Sequence, residues 1–406
     1  MFQTESSADS VLIDDRREHF RYCKEVTHGY SRGVGIILDL AQSYVYYMED
    51  IARKGENVVW TAGIYESPVI YACGAKPLAH TELSRLGDPK AISVAEDYFQ
   101  VPRETCSMVK TMLGEYYLRR DTTVRRVLHF GTACEAMSAA YQFLDGYGYD
   151  LHVLDVGVKF EDISPERYKD LLQFYAEEIQ RAVHWISGKD LDEAKLAKEM
   201  KRYNRIIRKV RCIMNLRIQH PTYIRSLPSM FLLMGIGHYF GRPEEYEEAL
   251  DVILEEMCAL KSGEFNEKIV SLVWSGGRGM EFSLYQAIDD AGGAILGWCN
   301  PNNFMASYDL TKPPLEAFVA YQVGDRNCGL ANTQCYALEK ELARVDGKGI
   351  LIFAYAGCVY SIDCELKRNY FKKLDVPAIV LDAVYQIGPA SGQMLTRIKA
   401  FIEMLS

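Results

Sequence analysis

Eleven of the 406 residues are cysteine, and three of these occupy positions suited to thiol chemistry. Cys134 follows Arg126-Val127-Leu128-His129-Phe130, a short apolar run that reads as a strand, in the sequence GTAC. Cys358 follows a second such run, Gly349 to Tyr355, in AYAGC. Open parallel sheets bind ligands beyond the carboxyl ends of their strands. Both thiols fall in that zone, one from each half of the chain. Cys106 opens a helix in ETCSMVKTML, where unpaired N–H groups and the macrodipole stabilise a thiolate. Three thiolates, two from one half and one from the other, can clamp an iron–sulfur cluster. On a four-iron cube they leave one iron open to chemistry. The competing reading is that most of the cysteines are small buried apolar residues. The chain has no CxxC, so a zinc ribbon or a ferredoxin-like run is not supported.

Further residues carry weaker signals. Cys364, Cys328, Cys335 and Cys299 add thiols in the second half, either as ligands of a larger cluster or as buried residues. Cys73 reads as core packing, and Cys23, Cys212 and Cys258 lie on helices at core-like spacing. Glu66 and Glu281 open helices after strands. Pairing with the helix dipole explains an acid there, and a proton donor or acceptor is the alternative. Gly276-Gly277-Arg278-Gly279 is a strand-to-helix turn, either a plain tight turn or one that brings Arg278 to a substrate phosphate. The eight histidines form no HxH, HxxxH or HExxH pair, which argues against a mononuclear zinc site.

The elements that must position these groups follow from periodicity. Residues 1–56 read as an N-terminal helical region. Short apolar runs at Val58-Val59-Trp60, 126–130 and 151–156 alternate with helical stretches, the pattern of βαβ units and a parallel sheet. This first α/β subdomain spans 57–163. A helical segment follows over 164–264: Ser164 caps a helix with Pro165 at its first position, Gly188 ends it, and Asp190 with Glu193 resembles a capping box. The α/β texture returns over 265–406, with strands expected at 268–274, 293–297, 349–355 and 377–381 and a closing helix at 393–405. Val58-Val59-Trp60-Thr61-Ala62-Gly63 parallels Leu272-Val273-Trp274-Ser275-Gly276-Gly277, so the halves read as two similar subdomains facing each other across the helical middle.

Composition narrows the class. The chain is 49% hydrophobic and 25% charged, which excludes a disordered tail or a collagen. Its formal charge of −9 and lack of a basic stripe disfavour nucleic acid. The longest uncharged runs, 226–241 and 291–308, are short for a bilayer span. The polar, acidic start MFQTESSADS does not read as a secretory leader. With its cysteine count, this places the chain in the reducing cytoplasm, where disulfides are not expected.

Several stretches together carry a resemblance: VVWTAGIYESPVIYACGAKPL, ETCSMVKTMLGEYYL, HFGTACEAMSAAYQFL, ISGKDLDEAKLAKEMKRYNRIIRKV, WSGGRGMEFSLYQAIDDAGG and the C-terminal AGCVYSIDCELKRNYFKKLDVPAIVLDAVYQIGPASGQMLTRIKAFIEML. By their order and spacing the chain resembles the 2-hydroxyacyl-CoA dehydratase and benzoyl-CoA reductase superfamily, which includes double-cubane cluster proteins. The resemblance implies two flavodoxin-like subdomains, and a [4Fe-4S] cluster on the matching cysteines Cys106, Cys134 and Cys358. It also implies a homodimer or a heterodimer with a related subunit, and low-potential electrons from a separate ATP-hydrolysing iron–sulfur activator. The chain itself has no GxxxxGK[ST]. The implied activity is radical dehydration or low-potential reduction of an acyl-CoA; for a dehydratase, the electron passes to the thioester carbonyl, giving a ketyl radical that expels the neighbouring hydroxyl. The alternatives are a double-cubane [8Fe-9S] protein reducing small molecules, with the extra thiols as ligands, and a non-catalytic cluster-carrying or structural subunit. Glu365 and Arg397 match family-like positions, and surface pairing also accounts for them.

Overall fold

A computed structural model describes residues 21, 23, 25, 30–61, 67–79, 90–121, 123–130, 134–155, 163–277, 281–299, 305–325, 331–358, 361–384 and 390–406. Two four-stranded, fully parallel sheets organise it. The N-terminal helix α1 (Arg32–Arg53) leads into β1 (Val58–Thr61), α2 (Ser67–Ala72), β2 (Lys76–Ala79), α3 (Ser107–Leu118), β3 (Arg126–Phe130), α4 (Glu135–Gln142) and β4 (Asp150–Leu154). Four helices follow: α5 (Pro165–Ser187), α6 (Glu193–Gln219), α7 (Ser226–Gly235) and α8 (Pro243–Cys258). The second sheet region comprises β5 (Val270–Gly276), α9 (Phe282–Asp290), β6 (Gly293–Cys299), α10 (Pro314–Asp325), α11 (Ala331–Val345), β7 (Gly349–Tyr355), α12 (Ser361–Lys373), β8 (Ala378–Ala383) and α13 (Gly392–Leu405).

The sheets run β2-β1-β3-β4 and β6-β5-β7-β8. Counted from its own first strand, each half has the order 2-1-3-4, the flavodoxin-like winding. The repeated VVWT and LVWS segments are β1 and β5, which occupy equivalent central places in the two sheets. Their tryptophans are equivalent too. Trp60 and Trp274 are buried, and each indole N–H reaches a backbone carbonyl, at Val124 (3.2 Å) and Gly277 (2.9 Å).

Local chemistry explains most element ends. Ser164 caps α5 through the Arg167 N–H, Pro165 is its first residue, and Gly188 closes it at φ +67°. The cap of α6 is Asp192, which accepts the Lys195 N–H at 3.1 Å, rather than the expected Asp190. The acid adjoining the helix is the one within reach of a third-residue amide. β2 escapes the sequence reading because KPLA carries Pro77; the strand lies at a sheet edge, where a missing N–H is tolerated.

One core cluster joins the first sheet, the helical middle and one face of the second sheet, which contributes Leu272, Trp274, Leu351 and Phe353. Alternate residues Val273, Ile350, Ile352 and Val380 point the other way into a smaller core under α11 and α12. Each fully buried Leu or Ile in these cores contributes roughly 1.5–3 kcal/mol relative to exposure.

Candidate functional site

In the first sheet β3 ends at Phe130, and Cys134 is the N-cap of α4 in extended conformation (φ −160°). Its carbonyl accepts the Ser138 N–H (2.9 Å) and hydroxyl (3.1 Å), and that hydroxyl also contacts Nε2 of buried His129 (3.1 Å). A β3 side chain thus anchors the helix start that carries Cys134. Helix α3 precedes β3, so it runs antiparallel to the strands, and its N-terminus lies at the same carboxyl edge. Cys106 is the N-cap there. In the second sheet β7 delivers Ala356-Gly357-Cys358 at its carboxyl end.

The two edges meet at this point. The Ser107 N–H donates to the Ala356 carbonyl at 2.9 Å. Gly357 has φ +76°, and a Cβ there would stand 2.3 Å from the Glu104 carbonyl oxygen. Only glycine allows both the conformation and the approach. The approach brings the Cys358 thiol to hydrogen-bond the Cys106 sulfur, which holds Cys106 down at about 6 against the opposing effect of burial. The backbone N–H groups of Val109 and Met108 and the charge of Lys110 assist. Lys110 is itself buried; its ammonium pairs with Glu96 at 2.7 Å and donates to the Arg103 carbonyl at 2.6 Å. Sequence reading missed Lys110 as a contributor. Its signal was a lysine four residues after Cys106, amid apolar neighbours on one helix face.

Glu281 precedes α9 at the carboxyl edge of the second sheet and makes no cap hydrogen bond to its own helix. Burial raises its carboxyl to about 7, against a lowering by the Val384 backbone N–H that it accepts. Its Oε2 is buried without a hydrogen-bond partner among the described residues.

The additional thiols lie elsewhere. Cys335 and Cys364 are buried in the smaller core, and Cys299 packs against that core. They sit on the face of the second sheet opposite the main core, against which Cys134 and Cys358 pack. Burial pushes Cys299 up to about 12 and raises Cys335 and Cys364, although the charge of buried Lys367 pulls each of the three down. Cys73 is half-buried, and burial raises it to about 11. Cys23 is buried, as expected, but Cys212 and Cys258 are exposed. Both were expected at core-like spacing; the buried stripe of α6 passes through Val210, Ile213 and Met214 and leaves Cys212 outside. On α8, Ile253 and Met257 face inward and Cys258 does not. Glu365 pairs on the surface with Arg368 at 2.6 Å, and Arg397 donates to the Val380 carbonyl at 2.9 Å. Glu66, Arg278 and Cys328 lie outside the described residues.

Among the described residues, no three His, Cys, Asp or Glu side chains form a group able to hold a metal ion. The structure brings Cys106 and Cys358 together and places Cys134 on the first sheet's carboxyl edge, without grouping all three. None of the described helices is long and apolar enough to cross a membrane. A family model described as 2-hydroxyglutaryl-CoA dehydratase, D-component, matches residues 65–405. A search of curated proteins finds no match.

Proposed function

We propose, for a chain that belongs to the 2-hydroxyglutaryl-CoA dehydratase D-component family, the role of a cytoplasmic iron–sulfur component that removes water from a 2-hydroxyacyl-CoA thioester. Low-potential electrons come one at a time from a separate ATP-hydrolysing activator, and the chain works as a homodimer or beside a related subunit. The observation that carries this reading is the meeting of Cys106 and Cys358 across the two sheet edges, with Cys106 held at about 6 and therefore largely a thiolate at neutral pH.

The donor set suits an iron–sulfur cluster. Soft thiolates are the usual protein ligands of such clusters. A cluster takes its cysteines on different irons, so it needs no three side chains gathered round one ion. Cys106 and Cys358 would hold it from opposite halves, and Cys134 would be the third ligand. A bound [4Fe-4S] cluster supplies a one-electron reductant beside the thioester. The chain does the rest. Gly357 permits the close approach, the α3 N-terminus and Lys110 stabilise negative sulfur, and the surrounding core limits water. The position of Cys299, Cys335 and Cys364 on the far face of the second sheet supports one cubane over a double cubane.

Anaerobic purification with iron, sulfide and electron paramagnetic resonance analysis tests the assignment. About four iron per chain are expected, with a sharp fall in Cys134→Ala and Cys106→Ala. Unchanged iron in both variants rejects the ligand set. Turnover with the activator separates an enzyme from a mere electron carrier.

A further inference from the structure

Glu281 has no part in the thiol chemistry, yet it lies at the mouth of the same sheet. Its carboxylate reaches from the turn after β5 to the Val384 backbone N–H, just beyond β8. β7 runs between those two strands and carries Cys358 at its exit. The carboxylate therefore spans the exit of β7. Two further contacts tie the same loops together. A Cβ on Gly277 would stand 2.4 Å from the Tyr355 hydroxyl, and Ser283 accepts the Ala390 N–H at 2.7 Å. An acid at a helix start ordinarily bonds the first amides as a carboxylate. Glu281 makes no such bond, and its Oε2 is buried without a partner among the described residues. A carboxyl so placed is less costly neutral than charged.

We propose that Glu281 is the acid that protonates the hydroxyl group leaving the acyl thioester. The inference rests on the dehydratase reading above. Dehydration removes a hydroxyl and a hydrogen from adjacent carbons. As the C–O bond breaks, its electron pair stays with oxygen; the O–H bond of the acid breaks, water departs and Glu281 is left as a carboxylate. The proton that the neighbouring carbon then loses restores the acid. Protons balance over the cycle, and the electron that the activator supplies is recovered when the product forms.

The test compares wild type, Glu281→Gln and Glu281→Asp, loaded with iron anaerobically and assayed with the activator and 2-hydroxyglutaryl-CoA. The Gln variant is expected to lose roughly 100-fold or more in kcat, with iron content, paramagnetic spectrum and thioester affinity as in wild type. The Asp variant recovers part of the rate. Gln turnover within about threefold of wild type overturns the proposal. Infrared difference spectroscopy gives an answer independent of turnover. A protonated-carboxyl band present in wild type at pH 6.5 (about the neutral working range) and missing in the Gln variant supports the acid; absence of that band in wild type refutes it. A wild-type chain that binds iron and shows the band, yet dehydrates no 2-hydroxyacyl thioester, instead counts against the dehydratase reading.

Discussion

The two faces of the second sheet treat the same residue type in opposite ways. On the side of the main core, Cys106 meets a thiol donor, backbone N–H groups and the charge of Lys110, and it is held at about 6. On the far face, Cys299 is pushed to about 12, and Cys335 and Cys364 are also raised. A buried lysine stands near both sets, Lys110 for one and Lys367 for the other. A nearby positive charge alone therefore does not make a thiolate. Direct hydrogen bonds to the sulfur must offset the loss of water, and of these two faces it is the helix start facing a second thiol that supplies them.

The contrast can be broken most severely by removing ligands. Cys358→Ala should abolish iron binding and activity, whereas Cys335→Ala should keep full iron and lose only packing, roughly 1–2 kcal/mol by chemical denaturation. Equal iron loss in both variants would erase the distinction between the faces. After a chelator strips the iron, alkylation monitored against pH should modify Cys106 with a midpoint near 6 and leave Cys335 and Cys364 unreactive until unfolding. A single midpoint above 8 for all (about the free thiol value) would remove the electrostatic argument.

Smaller effects sharpen it. Lys110→Met should raise the Cys106 midpoint and destabilise the fold by roughly 1–3 kcal/mol, because Glu96 loses its closer cation and keeps only the looser pair with exposed Arg103 at 3.8 Å. No change in either measurement would show Lys110 to be a bystander. Glu281 offers a pH signature of stability. Its folded pKa, about 7, lies above the ordinary 4.5, so the folded state binds more protons between those values. The stability that its proton confers is present at low pH and is lost as pH rises through about 7. Glu281→Gln should flatten that fall and leave the variant roughly 1–2 kcal/mol more stable at alkaline pH. Exposed Cys212→Ser should change stability by about 0.5 kcal/mol or less.

Much of this architecture was legible in local signals. The strand at 349–355 and the start of α5 match the sequence reading because apolar runs, Ser164 and Pro165 act over a few residues. The paired Trp segments revealed the two similar halves for the same reason. Asp192, rather than Asp190, capping α6 shows the limit of that reading: two acids two positions apart look alike until backbone geometry selects one. Cys212 and Cys258 show another, since a helix has both an inner and an outer face and their apolar neighbours were a poor guide to which one they occupy.

By itself the sequence determined that strands alternate with helices in both halves, and that Cys106 opens a helix while Cys134 and Cys358 follow strands. These are consequences of short-range hydrogen bonding and apolar periodicity. Tertiary structure decided which thiols meet and which lie behind the sheet. That depends on strand order and on a glycine tight enough to let two distant loops touch, and both arise from contacts between residues far apart in the chain.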